Sequence, residues 1–213
     1  MSAIEDEKRA AAEEAAGLVE EGMTLGLGTG STVAYLLPAL AARGLRLRCV
    51  ATSPQTEQAA RELGLPLEPF EALDRLDVTI DGADQIDPAG WLVKGGGAAH
   101  TREKVVAAAS DRFVVIASSG KLVEAIVPPV PLELLLFGVR ATLRALGPAE
   151  LRDLPPSPDG GVIADYLGPV EDPADLADRL AAIPGVVEHG LFPPELISEI
   201  LVARDGRIER IVP

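Results

Sequence analysis

The sequence predicts an α/β protein: a Rossmann-like, doubly wound domain with a mainly parallel sheet, followed by a second, smaller α+β domain. Short apolar runs alternate with helical patterns through residues 1–127, which is typical of a parallel sheet covered by helices on both faces. A proline cluster at 128–131 then indicates a domain boundary. We expect 128–199 to form the small domain, and 200–213 to complete the first sheet.

The elements of the first domain follow from helix caps and hydrophobic periodicity. Ser2 and Glu5 form a capping box, which predicts a helix from there to about Glu21, ended by Gly22. Buried strands are expected at short apolar runs, and helices at longer amphipathic ones. In chain order these are the strand "MTLGLG", the helix "STVAYLLPALAAR", the strand "LRLRCVAT", the helix "PQTEQAARELG", the strand "DVTIDGA", the helix "REKVVAAAS" and the strand "RFVVIAS".

The second half has shorter elements separated by loops rich in proline and glycine. We expect a helix around Leu134–Leu146, and a two-residue hairpin turn at Asp205-Gly206 near the end of the chain. The segments between and around them are the loop "PPSPDGG", the strand "VIADYLG", the helix "PADLADRLAAI", the strand "GVVEHGLF" and the hairpin "ISEILVARDGRIERIVP".

The charge balance excludes several classes of partner. The formal net charge is −14, whereas a nucleic-acid backbone or an anionic membrane surface requires a basic protein surface. The most apolar stretch, "LVEAIVPPVPLELLLFGV", contains two glutamates and three prolines, which argues against a membrane span. The acidic start "MSAIEDEKRA" does not have the pattern of a signal peptide.

The single cysteine and the absence of asparagine indicate the compartment and the temperature in which the protein works. Cys49 lies in an apolar run, where it is expected to be a small buried strand residue, and a lone cysteine suits a reducing cytoplasm. The chain contains no asparagine, 18 prolines and more arginine than lysine. This composition suggests a thermophilic source, although genomic base composition can produce the same bias.

The first chemical motif is the loop "GLGTGST", from Gly26 to Thr32, which follows a strand and opens a helix. Such loops bind phosphates, because their glycines allow close approach and the helix start offers free N–H groups. A dinucleotide site would require a third glycine where Ser31 stands, and a P-loop would require a lysine. The motif predicts a cradle for a small phosphate, and the alternative is a tight turn whose serine caps the helix.

The second motif, "DGADQID", stands at the carboxyl end of the strand "DVTI", the edge where open α/β sheets bind ligands. Asp81 and Asp84 flank Gly82-Ala83, so a tight turn can bring both carboxylates to one pocket. Two neighbouring carboxylates do not both ionise readily, so such a pair can pass a proton. The spacing matches neither a calcium loop nor a zinc site, and a self-capping turn is the structural alternative, which we expect at Asp87-Pro88.

The third motif is "KGGGAAHTREK". Three successive glycines cost conformational entropy, which close approach of the backbone to a ligand would explain. Lys94 before them and Lys121 in "SSGKLV" can form a positive patch for an anionic substrate. Glu103 complements a helix dipole by position, but together with the aspartates and Lys94 it is a candidate general base. His100 is expected to be a cap or surface residue, and His189 to be structural.

Taken in order, "GTGST", "DGADQID", "KGGGAAHTREK", "SSGK" and the later "IPGVVEHGLF" resemble the A-type ribose-5-phosphate isomerases over nearly the whole chain. Gln85 and His100 depart from that pattern, at positions outside its charged set. The resemblance implies interconversion of D-ribose 5-phosphate and D-ribulose 5-phosphate through an ene-diolate, in the pentose phosphate pathway, without a metal or another cofactor. It also implies a homodimer or homotetramer.

The same resemblance implies the roles of individual residues. Glu103 is the base that moves a proton between C2 and C1, Lys94 stabilises the developing oxyanion, and Asp81 and Asp84 handle hydroxyl protons and ring opening. The positions expected to bind the substrate are Thr29, Gly30, Ser31, Thr32, Gly82, Ala83, Gly95, Gly96, Gly97 and Lys121.

Two other classes of protein remain as alternatives. A sugar-phosphate sensor can share this fold without turnover, but such sensors usually carry a basic DNA-binding segment that this acidic chain lacks. An amino-sugar-phosphate deaminase or a coenzyme A transferase would need ammonia-releasing groups or a differently placed nucleophilic glutamate.

Overall fold

The computed structural model describes residues 2–213, which contain six α-helices and thirteen strands. The helices are α1 (Ala3–Ala16), α2 (Val33–Ala42), α3 (Pro54–Glu62), α4 (His100–Ala108), α5 (Val139–Leu146) and α6 (Pro173–Ala181). The strands are β1 (Thr24–Leu27), β2 (Arg48–Ala51), β3 (Val78–Gly82), β4 (Gln85–Ile86), β5 (Leu92–Val93), β6 (Phe113–Ser118), β7 (Val130–Leu134), β8 (Ala149–Leu151), β9 (Val162–Tyr166), β10 (Val186–His189), β11 (Leu191–Phe192), β12 (Glu199–Arg204) and β13 (Arg207–Ile211).

The described chain forms two compact units. The first contains the residues up to Ala83 together with Arg102–Lys121 and Glu195–Pro213, and the second contains Asp84–Thr101 and Leu122–Pro194. The sequence-based ranges, 1–127 with 200–213 and 128–199, remain a prediction. The compact units divide the chain at other residues, because 84–101 makes its contacts with the later segment.

The first unit is built on a six-stranded sheet in the order β13-β12-β6-β3-β1-β2. Its strands are parallel except for the edge strand β13, which pairs antiparallel with β12. Its inner strands are mostly apolar because both faces of the sheet are buried, as in β6, where all six residues are buried. This confirms the predicted α/β fold, and it shows that the last strands do join the first sheet.

Helix α1 is shorter than predicted. It begins at the expected cap, where Ser2 accepts a hydrogen bond from the Glu5 amide, but it ends at Ala16 rather than near Glu21. Gly17 follows at the C-cap, and the Arg43 guanidinium donates to the carbonyl oxygens of Ala16 and Val19. This arginine satisfies carbonyls at the end of the helix, a partner that lies too far along the sequence to be anticipated.

The second unit contains a four-stranded antiparallel sheet in the order β10-β7-β9-β8, and a small three-stranded sheet, β11-β5-β4. Helices α5 and α6 supply part of an apolar core, in which Leu132, Leu176 and Leu180 are almost fully buried. This α+β arrangement agrees with the class predicted for the second half of the chain.

The predicted helix around Leu134–Leu146 was wrong at its beginning. Leu134 ends β7, and the helix starts only at Val139, after Gly138 in a left-handed conformation with φ 73°. The proline cluster concealed β7, because proline cannot donate to a strand ladder and is rare in inner strands. In the structure the Pro131 carbonyl accepts from the Gly190 amide at 2.7 Å, so the residue still takes part in pairing.

Candidate active site

The first unit has a topological switch point between β1 and β3. The chain leaves β1 for β2 on one side, and it later returns to β3 on the other side of β1. Ligands of open α/β sheets bind at the carboxyl ends of strands at such a point. The glycine loop follows β1 and Asp81 lies at the end of β3, so both stand where this topology predicts a ligand.

Asp81 is fully buried, and backbone amides hold its carboxylate. Its Oδ1 accepts from the Thr29 amide at 3.0 Å and from the Gly82 amide at 2.7 Å. Gly28 allows this approach, since a Cβ at that position would lie 2.1 Å from the Asp81 carboxyl carbon. The first loop and the acidic motif are therefore joined directly within this unit.

The side chain of Thr29 belongs to a network of hydroxyl groups. Its Oγ1 lies 2.8 Å from the hydroxyl oxygens of Thr52 and Ser53, and 3.2 Å from that of Thr56. Helix α2 begins after Thr32, whose side chain makes no capping hydrogen bond. The N-cap residue of this helix is thus Thr32 rather than Ser31, and both Gly30 and Ser31 are exposed.

Two further candidates belong to the first unit. Glu103 lies in the first turns of α4 and is only 4% exposed, an unusual degree of burial for a glutamate. Lys121 ends a 3-10 helix, Ser119–Lys121, that follows β6, the neighbour of β3 in the sheet. Ser119 donates its amide to the Glu7 carboxylate at 2.9 Å, which ties this turn to α1.

The glycine loop of the second unit holds Asp84. The Gly96 amide donates to Asp84 Oδ2 at 2.7 Å, and the Asp84 amide donates to the Val93 carbonyl at 2.8 Å. A Cβ on Gly96 would lie 3.0 Å from both carboxylate oxygens. This glycine therefore permits a close contact between the backbone and the Asp84 carboxylate. The close approach to a ligand that the sequence predicted for the glycine run stays a prediction.

Lys94 is 3% exposed and is fixed by its backbone and by an aromatic ring. Its amide donates to the Gly190 carbonyl at 2.8 Å, and its Nζ lies 5.5 Å from the centre of the Phe192 ring. Gly190 is required because a Cβ there would lie 2.1 Å from the Lys94 carbonyl oxygen. An ammonium held over a ring face and away from bulk water is suited to stabilising negative charge.

Comparisons with known proteins identify the family of this chain. The chain is 47% identical to the ribose-5-phosphate isomerase A of Caulobacter vibrioides, in an alignment that covers all of both chains. The family model for ribose 5-phosphate isomerase A (phosphoriboisomerase A) matches residues 48–207. The chain belongs to the ribose 5-phosphate isomerase A family. The resemblance found in the sequence motifs is thereby confirmed.

Solved structures of the family share the fold of this isomerase-family chain. The ribose 5-phosphate isomerase A of Neisseria gonorrhoeae is 32% identical, with a TM-score of 0.94, over 100% of this chain and 99% of the other. A D-ribose-5-phosphate isomerase in complex with phospho-erythronic acid is 33% identical, with a TM-score of 0.92, over all of both chains.

The isomerase-family chain differs from the sequence prediction at His100. This residue was expected to be a cap or surface residue, but it is fully buried at the first position of α4. A Cβ on Gly95 would lie 2.6 Å from its Nδ1, so the imidazole packs against the glycine loop. His189 is also buried, and Asp87 caps its own turn by accepting from the Trp91 amide at 2.9 Å, both as expected.

Sequence reasoning missed several polar residues of this family member. The hydroxyls around Thr29 come from "TSPQT", residues 52–56, which follow the end of β2. A run of hydroxyl residues at the carboxyl end of a parallel strand is a signal that could have identified them. Arg152, which contacts the glycine loop, has no such local signal.

Proposed function

We propose that this chain interconverts D-ribose 5-phosphate and D-ribulose 5-phosphate through an ene-diolate, as its family membership supports. The reaction moves a proton between C2 and C1 of the open-chain sugar. Removal of the C2 proton sends electrons towards the C1 carbonyl, so negative charge develops on the oxygen at C1. The required groups are a base, a stabiliser for that oxyanion and carriers for hydroxyl protons.

Glu103 is the proposed base. Its burial in the first turns of α4, with 4% of the residue exposed, is the single observation in the structure that best supports this role. A carboxylate shielded from water is suited to taking a proton from carbon, and it can return the same proton to C1.

Lys94 and the backbone amides of the glycine loop are the proposed stabilisers of the oxyanion at C1. Asp81 and Asp84 transfer the hydroxyl protons and assist ring opening. Backbone N–H groups of Thr29 and Gly82 hold Asp81, and that of Gly96 holds Asp84, which supports a role that requires a fixed carboxylate. These two sets of groups complete the proton balance, because the hydroxyl at C2 loses its proton while the oxygen at C1 gains one.

The loop Thr29–Thr32 and Lys121 are proposed to bind the substrate. Gly82 and Ala83, which lie between the two aspartates in sequence, are proposed to do so as well. Backbone N–H groups at a glycine turn and a lysine are suited to a phosphate. Phospho-erythronic acid, bound in a solved relative, offers further support. It combines a phosphate with a carboxylate that spreads charge over two oxygens, as an ene-diolate does.

A turnover assay tests the function and the base together. We expect the purified protein to form ketose from ribose 5-phosphate with EDTA present. Replacing Glu103 by Gln should lower kcat by about 10²–10⁴, the usual contribution of a general base, while ribose 5-phosphate still binds. In heavy water the product should contain deuterium, because the proton on the base exchanges with solvent.

Glu62→Gln is the matched control, because Glu62 lies exposed at the end of α3. This variant should keep the wild-type kcat. Full turnover by Glu103→Gln would show that another residue is the base. A wild-type protein that binds the sugar phosphate without converting it would instead be a sensor.

We further propose that the protein works as a homodimer in the cytoplasm, within the pentose phosphate pathway of a thermophilic organism. The lone buried Cys49 supports the reducing compartment, and the scarcity of thermolabile side chains supports the thermophilic source. Along residues 2–213, no helix has the length and apolar character needed to cross a membrane.

A further inference from the structure

Arg152 connects the outer strand of the second unit to its glycine loop. Its Nη2 and Nε donate to the two carboxylate oxygens of Asp165 at 2.6 and 2.8 Å. Its Nη1 donates to the carbonyl oxygens of Gly95 at 2.8 Å and of Gly96 at 3.3 Å. Only 17% of the Arg152 side chain is exposed, so this arrangement is largely withdrawn from solvent.

The sheet places these two side chains together. Leu151 pairs with Ala164, and the Arg152 amide donates to the Ile163 carbonyl at 2.9 Å, so Asp165 is the diagonal neighbour of Arg152 on the same face. A carboxylate and a guanidinium can then meet in a bidentate pair, which fixes the plane of the arginine. The remaining nitrogen points at the loop.

The carbonyls that Arg152 contacts determine where the loop amides point. In a trans peptide the carbonyl of one residue and the N–H of the next lie in one plane and point in opposite directions. The peptide whose Gly95 oxygen accepts from Arg152 is therefore the one whose Gly96 N–H donates to Asp84. By the same geometry, the contact with the Gly96 oxygen directs the Gly97 N–H away from the guanidinium.

The loop needs such an external support because it cannot be stiffened by its own side chains. A Cβ on Gly95, where φ is 107°, would collide with His100, and one on Gly96 would press on Asp84. Glycines lose more conformational freedom on ordering than any other residue. One internal hydrogen bond, from the Ala98 amide to the Gly95 carbonyl at 3.0 Å, closes the turn but does not constrain Gly97.

We propose that Arg152, held by Asp165, is a positioning residue for the isomerase reaction. By donating hydrogen bonds to the Gly95 and Gly96 carbonyls, Arg152 orients and polarises the N–H groups of Gly96 and Gly97. The Gly96 amide fixes the proton-carrying Asp84, and the Gly97 amide is available to the oxyanion. This inference rests on the proposed function, because it assigns Arg152 an effect on that reaction.

The test compares the loss of Arg152 with the loss of the whole ion pair. Arg152→Met leaves the Asp165 carboxylate without its partner, whereas Arg152→Met with Asp165→Leu removes both charges. We expect the melting temperature to fall in the single variant and to recover partly in the double variant. The kcat for ribose 5-phosphate should fall about 10- to 100-fold in both, with KM changed less than about threefold. Arg152→Lys keeps the positive charge but loses the planar guanidinium that donates to several oxygens at once. Its kcat should lie between those of the wild type and Arg152→Met.

Arg48→Met is the matched control. Arg48 forms a similar bidentate pair with Glu68, at 2.8 and 2.7 Å, in the first unit. The Arg48→Met variant should have the kcat of the wild type. A kcat that recovers together with the melting temperature in the double variant, or that is unchanged in Arg152→Met, would show that the ion pair serves only stability.

Hydrogen exchange separates this inference from the proposed function. The amides of Gly96 and Gly97 should exchange about tenfold faster in Arg152→Met than in the wild type, whether or not substrate is turned over. Unchanged exchange would overturn the positioning role. A wild-type protein that does not convert ribose 5-phosphate would overturn the function and leave the exchange result to decide the role of Arg152 in the loop.

Discussion

Cys49 shows how burial controls the chemistry of a single side chain. It lies in β2 with no exposed surface, among the apolar residues of the first unit. Burial raises the pKa of its thiol from 9.0 to about 12, because the thiolate would lose its hydration. A thiol that stays protonated is a poor nucleophile, so Cys49 has a structural role in the strand.

The raised pKa of Cys49 predicts a pH dependence of stability. Between about pH 9 and about pH 12 the unfolded thiol ionises while the folded thiol stays protonated, so the folded state binds more protons and the free energy of unfolding falls as pH rises. The contribution approaches about 1.4 kcal/mol per pH unit. Denaturant unfolding over this range should therefore show a steeper decline for the wild type than for Cys49→Ala. Equal slopes would mean that the thiol ionises in the folded protein.

At the scale of elements, the glycines of β1 and its loop explain why these segments approach so closely. Gly26 lies in β1, where a Cβ would stand 2.0 Å from the Thr79 hydroxyl. Gly28 follows the strand, where a Cβ would stand 2.1 Å from the Asp81 carboxyl group. Both positions are crowded to a similar degree, but only the second faces a proposed catalytic residue.

We therefore expect Gly28→Ala to damage catalysis more than stability alone explains. The added methyl displaces the Asp81 carboxylate and breaks its hydrogen bonds with the loop, so kcat for ribose 5-phosphate should fall more than about tenfold. Gly26→Ala is the control, which should lower the melting temperature by a similar amount through overpacking. Equal kcat values for the folded fractions of both variants would contradict this role for Gly28.

The success of sequence reasoning depended on how local each signal was. The strands and helices of the first unit follow from apolar periodicity, and the glycine and aspartate motifs follow strands as predicted. Strand β7 was missed because Pro131 and the buried Glu133 resemble a loop and a helix more than an inner strand. Arg152 donates to the carbonyl of Gly95, which lies 57 residues earlier in the sequence. Hydrophobic periodicity predicts local structure and cannot predict a contact between residues so far apart.

At the scale of the whole molecule, the chain crosses repeatedly between its two compact units. Segment 84–101 leaves the first unit near the end of the first half of the chain, and segment 195–213 returns to the first unit from the second. The proline cluster that indicated a domain boundary can be read from the sequence. The points at which the chain passes from one unit to the other depend on contacts between segments that are distant in sequence. This is why the sequence predicted the fold class better than it could predict which segments pack together.

Self-association is the remaining property of the whole molecule, and charge constrains it. Two copies that each carry a net charge of −14 repel one another, so an interface is expected where acidic residues are absent. Residues 135–146 contain two arginines and no acidic residue. Within them Leu135, Leu136 and Phe137 are 51%, 61% and 93% exposed, an apolar surface of the kind that dimers bury.

The proposed homodimer should therefore depend on this surface and on salt. Sedimentation at physiological ionic strength should give twice the mass of one 22.2 kDa chain, and the dimer should weaken at low salt, where the repulsion is less screened. Phe137→Ser should shift the mass towards that of the monomer, because it removes the most exposed apolar side chain. Val212→Ser, at a residue 76% exposed in the first unit, is the matched control and should leave the mass unchanged. A Phe137→Ser protein that remains fully dimeric would place the interface elsewhere on the molecule.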